Sequence, residues 1–597
     1  MKHNGILATV TLAACVLLQS PGAAHANSFT AASTGNWSSN TRWTPNGIPG
    51  SSDDVIIPAG ITITYDNSSP TTVGSVLVQG NIVISKSGGT FGDFTIDTTG
   101  ALSFGSQVPV TFGGNFTNLG AMNVSGQSQT ANTTYSGTGY IVGNVTNQIV
   151  NITGSYQNLG ILVTAANAQN GNLIGSGSLV NYGAIIHKGN STFGTGLNLD
   201  CTPVGNTVIW QGINVSGTPA PKATAYYNLV VGNTGTAGWV LNGAGLTIAN
   251  NLTIANVGGV ASWPANGSLG GTLYFQSTTG GGTVNFPAAF SLHAINQSAG
   301  TLGLPAGATL TITGTGAGLW TRSGGGISQN ATSTVRFTGA APDLAGVTAR
   351  NLLLDSTVTG ATAGAAFFVT NNLTLVPGAA LDVSALPSST CSLLGTASLL
   401  NSGTITGAVV AVSGSKVYAG TDGGYATGTI TGSLAMSNAS SVNLDVSASA
   451  LGSNDQLVIG GALSLENTMF NLKAPSAGAA IDTANDYTLV TASSIAGTPV
   501  LHWTTAPADT NYSLVVTATS IKLHYGGVVV VGQPRLNYSY SGGVLTLSWD
   551  TATFPGFVVQ QKASLAGSWG PVANGDVSPV LITVNPSVLT AFYRLAK

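Results

Sequence analysis

The residues able to do acid–base or metal chemistry are few and scattered along this chain. Beyond its first 26 residues it carries four histidines, His187, His293, His502 and His524. None stands in an H-x-x-x-H or H-E-x-x-H spacing, and no C-x-x-C occurs, so no local pattern sets two metal ligands side by side. Glu466 is the only glutamate. No G-x-S-x-G elbow marks a serine nucleophile. Glycosidic cleavage needs a proton donor and a base or nucleophile at a set separation, or cation-binding acids beside an arginine. Asp422, Asp445 and Glu466, spaced by 23 and 21 residues, are the best enzyme candidates. Against them, no arginine lies between Arg350 and Arg535, and Asp445 alternates with Val442 and Leu444 as an outward strand residue would. The other central acids, Asp200, Asp343, Asp355 and Asp382, show no common period. No catalytic, cofactor-binding or metal-binding residue is therefore assigned, and no cofactor is expected.

Asp53-Asp54 is the one adjacent acidic pair, and it is expected to close a turn by accepting backbone N–H bonds rather than to hold a cation. Gly280-Gly281-Gly282 and Gly324-Gly325-Gly326 lack a lysine and a following helix, so they read as turns and not phosphate loops. Trp210, Trp239, Trp263, Trp320 and Tyr226-Tyr227 are candidates for stacking on sugar rings, with packing inside the fold the favoured alternative. Thr309-Leu310-Thr311-Ile312-Thr313 would support an ice- or sugar-binding face only if threonines formed a flat outward ladder. Cys201 and Cys391 read as two buried thiols in preference to a disulfide.

Composition says what must position these groups. Charged residues make up 6% of 597, and glycine alone accounts for 82. Val, Ile and Thr favour strands, and Gly, Asn and Ser favour turns, so the chain is expected to be all-β with hydroxyls and amides wetting its surface. Loss of Lys2 with a leader would leave 14 basic residues against 18 acidic, a formal charge of −4. That balance argues against nucleic acid, which needs a basic stripe. No later stretch is long and apolar enough to cross a membrane as a helix.

Internal repetition defines the fold class. Asn228-Leu229-Val230-Val231 leads to Asn250-Asn251-Leu252-Thr253-Ile254, and Asn351-Leu352-Leu353-Leu354 leads to Asn371-Asn372-Leu373-Thr374-Leu375. Matching strands, Thr207–Trp210 and Thr334–Phe337, lie upstream. A second motif places Asn118, Asn158, Asn181 and Asn401 two residues before a glycine. A period in the low twenties suits one coil of a right-handed parallel β-helix (solenoid), with inward residues stacked as a column and corner asparagines bonded as a ladder. Coils of about 22 residues would number about 20 between residues 75 and 525.

The order Gly35-Asn36-Trp37, Trp43, Pro49, Asp53-Asp54-Val55-Ile56-Ile57 and Gly60-Ile61-Thr62-Ile63 resembles the start of G8-type modules and of bacterial surface β-helix proteins. Asp455-Gln456-Leu457-Val458, Gly461–Leu465 and Tyr487–Val490 resemble the distal part of autotransporter passengers, though no translocating barrel follows in this sequence. Leu545–Trp549, Ser568-Trp569 and Phe592–Leu595 resemble small modules that end exported proteins of Verrucomicrobia-like bacteria, and a fibronectin-like sandwich is the fold this implies.

These readings divide the chain into a signal peptide (1–26), a G8-like N-terminal cap (27–75), parallel β-helix repeats (76–430), autotransporter-passenger-like distal coils (431–527) and a small C-terminal β-sandwich (528–597). Lys2, the apolar run Ile6 to Leu18 and Ala24-His25-Ala26 fit an export signal cleaved near Ala26. A lipid on Cys15, within Leu12-Ala13-Ala14-Cys15, is the competing processing. The expected function is a secreted or cell-surface structural or adhesive protein without catalysis, whose partners are surface polysaccharide or other cell-surface proteins. The alternative is a polysaccharide-active lyase or hydrolase, or a carbohydrate-binding protein, on the same scaffold.

Overall fold

Strand patterning is set by alternation within short segments. In Asp54–Ile57, Val55 and Ile57 point inward and their neighbours outward, and the same alternation recurs in Thr62–Tyr65, Asn81–Ile84 and Ala101–Phe104. Such segments can hide their apolar face only by stacking on like segments. The computed structural model of the chain shows this stacking as a parallel β-solenoid of about 16 turns with about 1% helix. It describes residues 27–596 except 68–70, 105–107, 124–131, 148, 165–171, 189–195, 212–224, 233–238, 241–245, 256–259, 263–266, 277–281, 527–533, 552–553, 555, 565 and 586–590. The expected signal peptide with Cys15, Trp263, Gly280-Gly281 and the linker at 527–533 lie outside the described residues.

The chain forms two compact units. The first runs to Cys391 and adds Ala397–Leu399 and Gly403–Gly407, while the second takes Ser392–Thr396, Leu400–Ser402 and Ala408–Lys597.

In the first unit, Ser28–Ala31 pairs antiparallel with Trp43–Thr44 and parallel with Asp54–Ile57, closing the open end. Parallel pairing then continues from Asp54–Ile57 to Thr71–Val78 and Gly89–Ile96. A second sheet stacks Gly35–Asn36, Thr62–Tyr65, Asn81–Ile84, Ala101–Phe104 and Ala121–Asn123. The repeat blocks read from sequence are register partners. Thr207 faces Asn228 and Leu229 faces Leu252, while Thr334 faces Asn351 and Asn351 faces Asn372.

The asparagine ladder forms in part of the first unit. Asn158 Nδ2 donates to Asn181 Oδ1 at 2.8 Å, and Asn181 Nδ2 to Asn206 Oδ1 at 3.4 Å, all three side chains being fully buried. Asn206 lacks the motif's following glycine, so the sequence pattern missed it. Asn118 departs from the ladder and donates to the Asn144 carbonyl. In the second unit, Asn401 likewise donates to a carbonyl, that of Thr429, at 3.1 Å.

Coil length is not constant, which is why the solenoid has about 16 turns and not about 20. Neighbouring coils are offset by 19 residues at Thr62 and Asn81, by 23 at Asn158 and Asn181, by 28 at Asn443 and Asn471, and by 31 at Asn471 and His502.

In the second unit the last parallel strand of one face, Tyr487–Thr491, is met antiparallel by Ser520–Tyr525, which pairs in turn with Tyr512–Val516. This hairpin covers an edge that would otherwise invite another chain. Residues 537–596 form two three-stranded antiparallel sheets around Leu547, Trp549, Val559 and Val580.

Candidate functional site

Three aspartates, Asp422, Asp445 and Asp455, come together on the second unit. Strands Lys416–Tyr418, Ser441–Asp445, Met469–Lys473 and Val500–Thr505 run parallel, so Tyr418, Asn443, Asn471 and His502 form one outward row. Asn471 Nδ2 donates to Asn443 Oδ1 at 2.9 Å, and His502 Nδ1 lies 3.0 Å from Asn471 Oδ1. Two residues further along the strands, Asp445 faces Lys473.

Here the strand pattern breaks, because Leu444, Asp445 and Val446 are all buried and Asp445 is only 8% exposed. The simple outward position expected for Asp445 is therefore corrected. The loop Thr421–Gly424 folds over it, and Gly423 N–H donates to Asp445 Oδ2 at 2.5 Å. Asp422, on the same loop, forms an exposed ion pair with Lys473. Asp455, 3% exposed, accepts the N–H groups of Ala426 and Asp445, each at 2.8 Å. A cleft of about 230 Å³ opens between these groups, with Tyr418, Thr421 and Thr505 on its walls.

Burial decides the electrostatics. It pushes the Asp445 carboxyl above its ordinary range, against the Gly423 N–H and the Lys473 charge, which pull the other way. It raises Asp455 to about 7 although two backbone N–H groups favour the anion. The hydrogen bond to Asp422 raises Lys473. Among the described residues no group of three His, Cys, Asp or Glu side chains is arranged to hold a metal ion.

Glu466 does not join this cluster. It is exposed and follows Ala462–Leu465, which pairs with Leu434–Met436 in a different sheet. The spacing of 21 residues failed because the local coil is 28 residues long, so a step of 21 lands on another face. Asp455 and Lys473 were missed for the same reason. The usable signal was the backbone register of Val442 and Leu444 with Phe470 and Leu472, which sets Asp445 against Lys473.

The first unit shows a different arrangement. Nine buried rings run in succession: Trp43, Trp37, Tyr65, Phe91, Phe94, Phe112, Phe116, Tyr135 and Tyr156. Neighbouring centroids lie 4.5–5.9 Å apart. Trp43 Nε1 donates to the Trp37 carbonyl at 2.9 Å, and the Tyr156 hydroxyl to the carbonyls of Phe112 and Gly114 at 3.1 Å. Asp53 Oδ2 accepts the Gly50 N–H at 2.8 Å, closing the turn before Asp54–Ile57. Residues 42–157 match the G8 domain family. No curated protein matches the chain. The G8 region thus holds eight of the nine rings and reaches well past the first 75 residues, where the sequence resemblance was drawn.

Outside the G8 region the remaining candidates are mostly packed or locally bonded. Trp210, Tyr226 and Trp320 are buried, Tyr227 is partly buried, and the side chain of Trp239 lies outside what is described. His187 is buried, with Nδ1 3.0 Å from Thr164 Oγ1 and its ring 5.1 Å from Trp210. Asp200, Asp343 and Asp382 accept backbone N–H bonds from Thr202, Ala345 and Ser384. Asp355 pairs with Arg336, which holds its carboxyl below the usual range. Thr311 lies between Ser291 and Arg336, so its run does not build a threonine ladder. Within the G8 region Thr72, Thr90, Thr111 and Thr134 do stack, as a file flanked at Thr111 by Pro109 and Gly113. Cys201 and Cys391 are buried free thiols, and burial raises Cys391 to about 11.

Proposed function

We infer that this is an exported structural or adhesive protein of the cell surface, and that it does not turn over its partner. The observation that supports the non-catalytic part is the use made of the clustered acids. Asp455 spends both oxygens on backbone N–H groups, Asp445 spends one on Gly423, and Asp422 is paired with Lys473. Carboxylates engaged this way pin loops, whereas a proton donor and base must both reach one substrate bond. A G8 domain on a capped parallel solenoid is consistent with a surface role. In this reading residues 1–26 direct export with cleavage near Ala26, residues 431–527 correspond to the distal coils of autotransporter-like passengers, and 528–597 serve attachment or sorting. Surface polysaccharide or neighbouring surface proteins are the partners.

Purified mature protein should release no reducing sugar from pectin, alginate or xylan and produce no unsaturated-uronate absorbance. A signal that disappears in Asp445→Ala or Glu466→Ala would replace this reading with the enzyme. Fractionation of the native host should recover the chain outside the cytoplasm with its N-terminus near Asn27. A diacylated Cys15 would establish the lipoprotein route instead.

A further inference from the structure

Charged side chains are scarce in this chain, at 6% of residues, yet three aspartates and a lysine border one cleft of the second unit. Loop-pinning explains Asp455, whose two oxygens each accept a backbone N–H. It explains only half of Asp445. The Gly423 N–H goes to Oδ2, and Oδ1 has no hydrogen-bond partner among the described residues, on a side chain more than nine-tenths buried that lines the cleft. That oxygen is not sealed from solvent, so it can accept a donor that enters the cleft.

Other groups on the same walls have unused capacity. Lys473 can donate three hydrogen bonds and gives one to Asp422. The side-chain hydroxyls of Tyr418 and Thr505 carry no hydrogen bond among the described residues. The walls therefore offer open oxygens of Asp445 and Asp422 as acceptors, one charged donor, and the hydroxyls of Tyr418, Thr421 and Thr505, which do either, with the Tyr418 ring beside them. Vicinal hydroxyls on a small ring match that set, because each both donates and accepts, and the ring's C–H face can lie on an aromatic. At about 230 Å³ the space falls below the roughly 300–1,000 Å³ of sites for larger ligands, so it suits one ring. Carboxylates outnumber the lone ammonium, which disfavours uronates, sulfates and phosphates.

We propose that this cleft binds one neutral sugar unit through Asp445, Lys473, Tyr418 and Thr505, and leaves it chemically unchanged. The inference rests on the surface-protein reading only for the source of the sugar, a glycan outside the cell.

The test is titration of the full mature protein with glucose, galactose, mannose, xylose and glucuronate, followed by ligand-observed NMR. At least one neutral sugar should bind. Asp445→Asn and Lys473→Met should each weaken it by about tenfold or more, as expected for loss of a charged hydrogen bond. Tyr418→Phe removes one hydroxyl without changing charge and should weaken it by a smaller factor, which keeps the test decisive should Asp445→Asn fail to fold. Asp382→Asn, a turn acceptor elsewhere, should bind as the parent does. The proposal is overturned if no neutral sugar binds, if glucuronate binds more tightly than the neutral sugars, or if binding survives both Lys473→Met and Tyr418→Phe. Recovery of the native protein from the cytoplasm would sink the surface reading while leaving the binding result intact, so the two failures are distinguishable.

Discussion

The G8 region and the distal coils solve the same stacking problem with different coil lengths. Near Thr62 and Asn81 a coil takes 19 residues, and the column it surrounds carries a file of aromatic rings beside Val and Ile side chains. Between Asn443 and His502 a coil takes 28 and then 31 residues, and the column is built mainly of Val417, Val442, Leu444, Phe470 and Leu472. The additional residues lie outside the strands. They form loops such as 446–455, and these loops carry Asp455 and fold against Asp445. Short coils invest nearly every residue in stacking, whereas long coils leave chain free to bring polar groups together. Loop closure costs little for each added residue, so the distal coils can lengthen without losing their register.

The largest effect should come from the aromatic column. Phe112 contacts Phe94, Phe116 and Tyr135 and is fully buried. Phe112→Ala should cost about 3–5 kcal/mol, seen as an early transition in chemical denaturation. A loss under about 1 kcal/mol would mean that the G8 region does not depend on its rings.

Next is the buried asparagine ladder. Asn181→Ala removes the acceptor for Asn158 and the donor to Asn206, and should cost about 1–3 kcal/mol. Asn471→Ala, on the partly exposed outer row of the distal coils, should cost less because water can replace its partners.

The distal coils should also respond to pH where the aromatic column does not. Asp455 titrates near 7 in the folded chain and near 3.8 when unfolded, so the folded state holds the extra proton between these values. Its contribution is fully present below about pH 4 and is lost as the pH rises through 7. The distal transition should therefore fall by about 4–8 °C between pH 5.5 and 8.5. Asp455→Asn should flatten that dependence. A distal transition that rises over this interval would contradict the assignment of burial as the dominant cause.

The smallest effect belongs to the exposed pair Asp422–Lys473. Lys473→Met should change stability by no more than about 1 kcal/mol, since solvent and salt screen such pairs. A larger loss would show that Asp422 holds its loop more firmly than its exposure implies.

Much of the fold was legible because its signals are local. Val55 and Ile57, or Leu352 and Leu354, announce an inward face by alternation alone, and the Asn228 and Asn351 blocks announce their register partners. The candidate cleft was half legible. Asp422 and Asp445 were singled out by a period borrowed from the middle of the chain, and that same period drew in Glu466 and passed over Asp455 and Lys473. The aromatic candidates were legible only as a choice, which packing settled for Trp210 and Trp320 by placing both inside.

By itself the sequence determined an all-β chain, the coiled repeat and the identity of most inward residues. Apolar alternation and glycine-rich corners act over a few residues and leave little freedom. Only the tertiary structure decided how long each coil is, and therefore which polar residues meet. Register is held by the buried column, while the loops between strands can lengthen at small cost. Residues on those loops come together through the column's geometry and not through their own spacing.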